Sequence, residues 1–283
     1  MTPQKTLASE VRIEGIGQHR GTENSLLVRP APANCGIVFS IGGREFPLSV
    51  ENVYGEAGYT TIGDPKGENL KTVEHLLSAI HALGLDNLLV ETASEEVPIL
   101  DGSALPFVKL LEKAGFSPQN ASKKAIRILK KIEFKDDKAE VSLEPAKTGL
   151  HLDITIDYPD IKPIGRQEIS FVLTPENYKR LAAPARSFAR LSDVEYLHSR
   201  GLALGASMAT GIAVDEERVL NHEGLRLENE FVAHKVLDAV GDLFVAGKTL
   251  VGRYKSVRGG HYHNNMLMRA LLSDPANYEV VEI

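Results

Sequence analysis

Two short segments, far apart in the chain, carry residues that could bind one metal ion together. In the later segment His234 and Asp238 are four residues apart, so on a helix both side chains project from the same face. A zinc site that does chemistry usually has three protein ligands and an open position for water. His75, in the earlier segment, is the predicted third ligand. These residues predict one Zn²⁺ per chain, although the same donors also suit Fe²⁺.

Glu74 immediately precedes His75 and could accept a proton from water at such a site. The residue also lies in the first turn after Thr72, a plausible N-cap, where an acid favours the helix dipole without any catalysis. In the same way, a His and an Asp four residues apart are more often a surface hydrogen-bonded pair than metal ligands. The combination of the two segments favours the metal site.

Each segment must be held on a helix. The early helix is predicted over 72–83 and ends at Gly84, and the late one over about 230–246 ends at Gly247. In both, apolar residues at the helical period form a core face apart from the chemical face. These residues are Val73, Leu76, Leu77, Ile80 and Leu83 in the first helix, and Val232, Val236, Val240, Leu243 and Phe244 in the second.

The rest of the chain predicts two α+β halves. Short runs of alternating or branched residues, bounded by Gly, Pro and Asn, predict strands within 5–50 and at 87–91, 125–129 and 250–254. A further helix is predicted near 106–114, before Gly115.

The polar, turn-rich segment 117–124 is the predicted linker between the halves. The predicted domains are therefore residues 1–120, carrying Glu74 and His75, and residues 121–283, carrying the later ligands.

Seven motifs resemble those of the UDP-3-O-acyl-N-acetylglucosamine deacetylases, in order and spacing, from about Lys5 to about Leu272. They are KTVEHL at 71–76, PILDGSA at 98–104, ARSF at 185–188, GLR at 224–226, NEF at 229–231, HKVLDAVGD at 234–242 and GGH at 259–261. The resemblance implies a bacterial zinc amidohydrolase that releases acetate from a UDP-linked N-acetylated sugar in lipid A synthesis. It also implies a duplicated fold, in which each half is a small sheet with paired helices and the two helix layers pack together. That packing would bring His75 against His234 and Asp238.

The resemblance also implies three further catalytic residues. His261 would supply a proton or positive charge, Asp242 would orient it, and Ser187 would offer a hydroxyl to the oxyanion. From the residues alone His263 competes with His261, because side chains two apart on an extended strand face one side and could chelate a metal. The match to the family favours His261.

Substrate-binding residues follow from the same resemblance. Phe188 and Tyr158 are predicted at the uracil, and Lys235 and Arg258 near phosphate or sugar. Taken singly, each is more often a core residue or a solvated charge.

Three residues depart from the family pattern at positions that bear on the substrate. Ser187 stands where threonine is usual, and Gln18 and Arg190 stand where apolar residues are usual. The last two place polar groups at the predicted entrance of an apolar acyl-chain passage, which the small and flexible residues of 202–214 could form. Two substrates therefore stay open: the acylated UDP-sugar, or another N-acetylated sugar without a long acyl chain. An inactive sugar-nucleotide binding protein is disfavoured, because Glu74 and His261 are both present.

Composition narrows the class of protein further. The net charge of −6 without a long basic run disfavours a nucleic-acid partner. A single cysteine, Cys35, excludes an internal disulfide, and a buried structural thiol is expected. The N-terminus lacks the apolar core of a signal peptide, so a cytoplasmic protein is predicted. We expect a monomer, with peripheral membrane contact left open because an acylated substrate carries a lipid chain.

Overall fold

Six α-helices and nineteen β-strands make up the part of the chain that the computed structural model describes, residues 2–56 and 58–283. The helices are α1 (Glu74–Leu83), α2 (Leu105–Ala114), α3 (Pro175–Leu181), α4 (Leu191–Ser199), α5 (Glu230–Asp242) and α6 (His261–Leu272). Within those residues, no helix is both long enough and apolar enough to span a bilayer.

The strands are β1 (Pro3–Leu7), β2 (Val11–Ile16), β3 (Glu23–Pro30), β4 (Ile37–Ile41), β5 (Arg44–Pro47), β6 (Val53–Gly55), β7 (Thr60–Gly63), β8 (Asn69–Lys71), β9 (Leu88–Thr92), β10 (Phe116–Ser122), β11 (Lys124–Ile128), β12 (Ile132–Lys135), β13 (Glu140–Glu144), β14 (Leu150–Tyr158), β15 (Gly165–Val172), β16 (Phe188–Arg190), β17 (Ile212–Val214), β18 (Thr249–Val257) and β19 (Tyr278–Glu282). They form mixed sheets on both halves of the chain, so the α+β class is confirmed.

The early half contains a five-stranded sheet in the order β2-β3-β9-β4-β5 and a three-stranded sheet in the order β6-β7-β8. The sequence of β2 has the pattern of a strand with one face on the core. Val11 and Ile13 are buried, whereas Arg12 and Glu14 are exposed. The late half contains a seven-stranded sheet with the path β12-β13-β18-β11-β19, from which β14 pairs with β18 and β15 pairs with β14.

Helices α1 and α5 pack against each other in the core. Every residue of α1 and every residue of α5 except Lys235 is buried. The core faces match the predicted apolar residues, but the chemical faces are buried too, because they face the other helix and the elements around it. Helix α1 ends where Gly84 adopts φ 67° and donates its N–H to His81 and Ile80.

Thr72 is not the N-cap of α1, so that prediction is wrong. Its backbone has φ 60°, and its hydroxyl donates to Glu96 at 3.0 Å rather than receiving an N–H of the helix. Val73 occupies the N-cap position without a side-chain hydrogen bond. The tertiary contact with Glu96 has replaced the local cap.

The segment 117–124 is not an unstructured linker, which corrects the prediction. Strand β10 covers most of it and pairs antiparallel with β1, with Thr6 opposite Ser117. Its polar side chains gave no strand signal, because the pairing is made by the backbone. The predicted boundary at residue 120 falls inside β10, and the division into two domains stays a prediction.

Cys35 is exposed, so the expected buried thiol is also wrong. It lies in the turn between β3 and β4, where its N–H donates to the Pro32 carbonyl at 3.2 Å.

Candidate metal centre and active site

The three predicted ligands meet between α1 and α5. Nitrogen atoms of His75 and His234 and a carboxylate oxygen of Asp238 lie within 4.8 Å of one another. Asp238 Oδ1 is 3.7 Å from His75 Nε2 and 3.4 Å from His234 Nε2. The exposed fraction of each residue is 4% or less. An ion placed among these atoms would be held by both helices.

The hydrogen bonds around this cluster leave His234 Nε2 and Asp238 Oδ1 available to bind an ion. His234 Nδ1 lies 3.2 Å from the Ala185 carbonyl, a contact that fixes the ring and leaves Nε2 with a lone pair. Asp238 Oδ2 accepts from Lys235 Nζ at 2.9 Å, whereas Oδ1 is buried with no hydrogen-bond partner in the described residues. A buried carboxylate oxygen without a donor is costly, so the donor set fits a cation bound at Oδ1.

The charge states of the ligands agree with this arrangement. Burial lowers the pKa of His234 to about 3, so its ring is neutral, as a metal ligand must be. Burial opposes ionisation of Asp238, but the cationic Lys235 and His261 hold its pKa well below the ordinary value. His234 therefore presents a neutral imidazole, and Asp238 an anionic carboxylate, to an ion.

Glu74 lies at the start of α1 with its carboxyl facing the same space. It is 2% exposed, and Oε2 accepts from the Thr60 N–H at 2.9 Å. Burial raises the pKa of the Glu74 carboxyl above its ordinary value, against the lowering effect of His261 and His75. A raised pKa suits a carboxylate that must accept a proton.

His261 and Asp242 form a buried pair opposite Glu74. His261 Nδ1 lies 2.9 Å from Asp242 Oδ2, which also accepts from Asn264 Nδ2 at 2.8 Å. The other oxygen, Oδ1, accepts from the Thr60 hydroxyl at 2.7 Å. Burial disfavours the charged ring, but Asp242, Glu74 and Asp238 raise the pKa of His261 to about 10. The ring is therefore protonated near neutral pH and can donate a proton.

His263 does not share the site with His261. Both belong to helix α6 rather than to a strand, and His263 Nε2 lies 3.2 Å from Asp136 Oδ2 on another side of the helix. The alternative of two histidines facing one side on a strand is wrong, because the Gly259-Gly260 pair precedes a helix.

A close approach of the two helices sets the geometry of the centre. A Cβ atom at Gly241 would lie 2.1 Å from the Glu74 carbonyl oxygen, which no side chain tolerates. Gly241 thus allows α5 to touch the first turn of α1, one residue before His75.

A polar cavity of 250 Å³, here called the metal cavity, opens onto these groups. Its wall includes Ser187, Phe188 and Lys235 beside the metal cluster. Lys235 Nζ lies 5.5 Å from the centre of the Phe188 ring. Tyr158 does not line the cavity but packs behind Phe188, with ring centres 5.8 Å apart. Arg258 is exposed and lies outside the lining.

A second cavity of 360 Å³, here called the apolar cavity, adjoins the first. The two share Gln18, His19, Gly58, Ser187 and Phe188. The remaining wall comes from β16, α4, β17 and the segment 203–211.

The two polar residues predicted at the entrance of the acyl passage differ in position. Gln18 lies at the junction of both cavities, and its Oε1 is buried without a partner in residues 2–56 and 58–283. Arg190 does not line the apolar cavity. Its head group turns to Glu216, with 3.7 Å between Nη1 and Oε1.

Several site residues were missed by the sequence reasoning. Buried Glu96 accepts from the N–H of His19 at 3.0 Å and from the Thr72 hydroxyl, and so ties the loop at Gln18 to the start of α1. Thr60 contacts both Glu74 and Asp242. No local pattern marks these residues, because their partners are distant in the sequence.

The chain is similar in sequence to known proteins. The profile of the family UDP-3-O-acyl N-acetylglycosamine deacetylase (LpxC) matches residues 4–273. Proteins named UDP-3-O-acyl-N-acetylglucosamine deacetylase are similar over almost the whole chain. That of Wolinella succinogenes is 43% identical over 99% of this chain and 94% of its own length. The protein of Helicobacter pylori strain 26695 is 43% identical over 98% of this chain and 94% of its own length. The protein of Actinobacillus pleuropneumoniae serotype 3 is 42% identical over 99% of this chain and 94% of its own length.

Proposed function

The chain belongs to the UDP-3-O-acyl N-acetylglycosamine deacetylase family and is a deacetylase, and from this premise we propose that it removes acetate from UDP-3-O-acyl-N-acetylglucosamine in lipid A synthesis by zinc-dependent hydrolysis. The observation that carries the proposal is the convergence of His75, His234 and Asp238 beside Glu74, with Asp238 Oδ1 left without a hydrogen-bond partner among the residues that the structure describes. The match to named deacetylases supports the substrate.

His75, His234 and Asp238 would hold one Zn²⁺ per chain, with Fe²⁺ as the alternative. A zinc ion held there would act as a Lewis acid toward the acetamide carbonyl and would lower the pKa of a water molecule to about 7. Glu74 then accepts the proton of the attacking water, whose oxygen forms a bond to the carbonyl carbon.

His261, Asp242 and Ser187 would act from the attack of water onward, when the oxyanion forms and the carbon–nitrogen bond breaks. The Ser187 hydroxyl, which donates to the Gly102 carbonyl at 3.3 Å, would turn to donate a hydrogen bond to the developing oxyanion. His261 gives a proton to the leaving nitrogen as the carbon–nitrogen bond breaks, so that acetate and the free amine are formed. Asp242 keeps the His261 ring in place through Nδ1.

The apolar cavity supports the acylated substrate. Its wall is built mainly of apolar and small residues and it opens directly beside Ser187 and Phe188, so an acyl chain on the sugar could leave the metal cavity without meeting water. Gln18 at the junction favours the second candidate, an N-acetylated sugar without a long chain, because its buried amide is poorly suited to methylene groups.

We place the nucleotide on the side of Phe188 and Lys235, with Tyr158 behind the aromatic ring and Arg258 further out. A cytoplasmic monomer stays a prediction. Exposed apolar side chains around the apolar cavity support peripheral contact with a membrane surface; they are Ile16, Leu191, Tyr196, Leu202, Leu204 and Met208.

Acetate release from two matched substrates tests the proposal. The zinc-loaded protein is assayed with UDP-N-acetylglucosamine that carries or lacks the 3-O-hydroxyacyl chain. A strong preference for the acylated form supports the lipid A substrate. Equal rates would favour the second candidate, and no acetate from either would contradict the proposed substrates.

A further inference from the structure

Thr60 hydrogen-bonds to two predicted catalytic residues on different helices, Glu74 and Asp242. It begins strand β7 and is 2% exposed. Its N–H donates to Glu74 Oε2 at 2.9 Å, and its hydroxyl donates to Asp242 Oδ1 at 2.7 Å. Its carbonyl accepts from the Val73 N–H at 3.2 Å, at the start of α1. All three polar groups of this one residue are therefore used at the active site.

Helices α1 and α5 contact each other directly at Gly241, but Thr60 adds hydrogen bonds to the two carboxyl groups themselves. Glu74 belongs to α1, whereas Asp242 ends α5 and holds the His261 ring of α6. Among the described residues, only Thr60 hydrogen-bonds to both carboxyl groups. Hydrogen bonds to buried carboxylates are stronger than those between neutral groups, so they restrict both side chains.

We propose that Thr60 is a positioning residue for the deacetylation, which fixes Asp242, and through it His261, relative to Glu74. The inference rests on the proposed function. Without the Thr60 hydroxyl, Asp242 Oδ1 would lose this donor, and the carboxylate could rotate away from the geometry that holds His261 Nδ1. The proton donor and the proton acceptor would then no longer be held at a fixed separation.

The chain offers closely matched variants. Thr60→Val keeps the shape and the backbone N–H to Glu74 but removes the hydroxyl, and Thr60→Ser keeps the hydroxyl. Thr61→Val is the control, because the neighbouring Thr61 is also buried and its hydroxyl has no hydrogen-bond partner among residues 2–56 and 58–283. Thr61→Val therefore removes a hydroxyl from the same strand without touching Asp242.

The experiment measures kcat, KM and bound zinc for each variant, using the full chain. We expect Thr60→Val to lower kcat by about tenfold to a hundredfold while KM and zinc content stay unchanged. Thr60→Ser should recover most of the loss, and Thr61→Val should match the unmodified chain. A Thr60→Val variant with unchanged kcat would overturn the inference, whereas an unmodified chain without acetate release would overturn the proposed function instead.

A double-mutant cycle separates positioning from a general structural defect. In an Asp242→Asn background, the added Thr60→Val change should lower kcat by less than about threefold, because the pathway through Asp242 is already broken. Full additivity of the two losses would show that Thr60 does not act through Asp242. If Thr60→Val does not fold, Thr60→Ala in the two backgrounds gives the same cycle.

Discussion

The metal cavity and the apolar cavity share a wall but are built in different ways. The first lies between α1 and α5, whose residues are buried almost without exception. The second is walled by the three-residue strands β16 and β17, by a loop, and by α4, which has no buried residue. Catalysis needs atoms held to a fraction of an ångström, whereas an apolar chain needs only a dry surface. The fold thus places its most deeply packed elements around the chemistry.

The largest effect on acetate release is expected in the metal cavity, at the metal ligands and Glu74. Asp238→Ala should lose the bound metal and lower acetate release by at least about a thousandfold, because an ion would keep only two ligands. Glu74→Ala should keep the metal and lose turnover to a similar degree. Metal content by mass spectrometry and acetate release distinguish them. Metal loss in Glu74→Ala would contradict this division of roles.

A packing change beside the metal cavity, at the contact of Gly241 with Glu74, should have the next largest effect. In a helix interior Gly→Ala usually stabilises by about 1 kcal/mol. At Gly241 the new methyl group would meet the Glu74 carbonyl at 2.1 Å, so we expect a loss of about 1–3 kcal/mol in the free energy of unfolding. Displacement of Glu74 should lower kcat by about a hundredfold. Denaturant unfolding checks the sign: a more stable Gly241→Ala protein would show that the helices can separate without cost.

A similar insertion in the apolar cavity should affect only the choice of substrate. Ala206 lines this cavity, and Ala206→Phe would fill part of it. We expect kcat/KM for the acylated substrate to fall by about tenfold, which corresponds to losing contact with about two methylene groups. The substrate without the acyl chain should be unaffected. Exposed Ala209, which is outside the lining, provides the control Ala209→Phe. Equal losses on both substrates would show that the two cavities are not independent.

The smallest effect is expected at Arg190. Its contact with Glu216 is long, at 3.7 Å, and both side chains are partly exposed. Such pairs contribute about 0–1 kcal/mol. Arg190→Ala should therefore change kcat/KM for the acylated substrate by less than about threefold. A larger change in steady-state kinetics would place Arg190 at the entrance of the apolar cavity after all.

The same contrast explains what could be predicted from the sequence. His234 and Asp238 were recognisable because the helical period alone places them on one face. The third ligand, His75, was predicted because a catalytic zinc site needs three protein ligands and a separate helical segment offered a histidine. The end of α1 followed from Gly84, whose positive φ angle stops the helix. Helix α5 instead ends earlier than predicted, at Asp242, and the 3-10 helix Leu243–Ala246 continues the chain to Gly247.

What escaped prediction depends on contacts between distant parts of the chain. Thr72 has the residue type of an N-cap, yet its hydroxyl is taken by Glu96. Thr60 lies 182 residues from Asp242, and its role exists only once β7 lies beside both helices. Strand β10 forms because β1 offers a backbone partner, although its own side chains carry no strand pattern.

Titration of the metal-free protein with zinc tests the central claim most directly. Acetate release from the acylated substrate is measured after each addition. If His75, His234 and Asp238 hold the one ion that the reaction needs, turnover should rise linearly from zero and level off at one zinc per chain. Full turnover without metal, or a rise that continues to two ions per chain, would contradict the account.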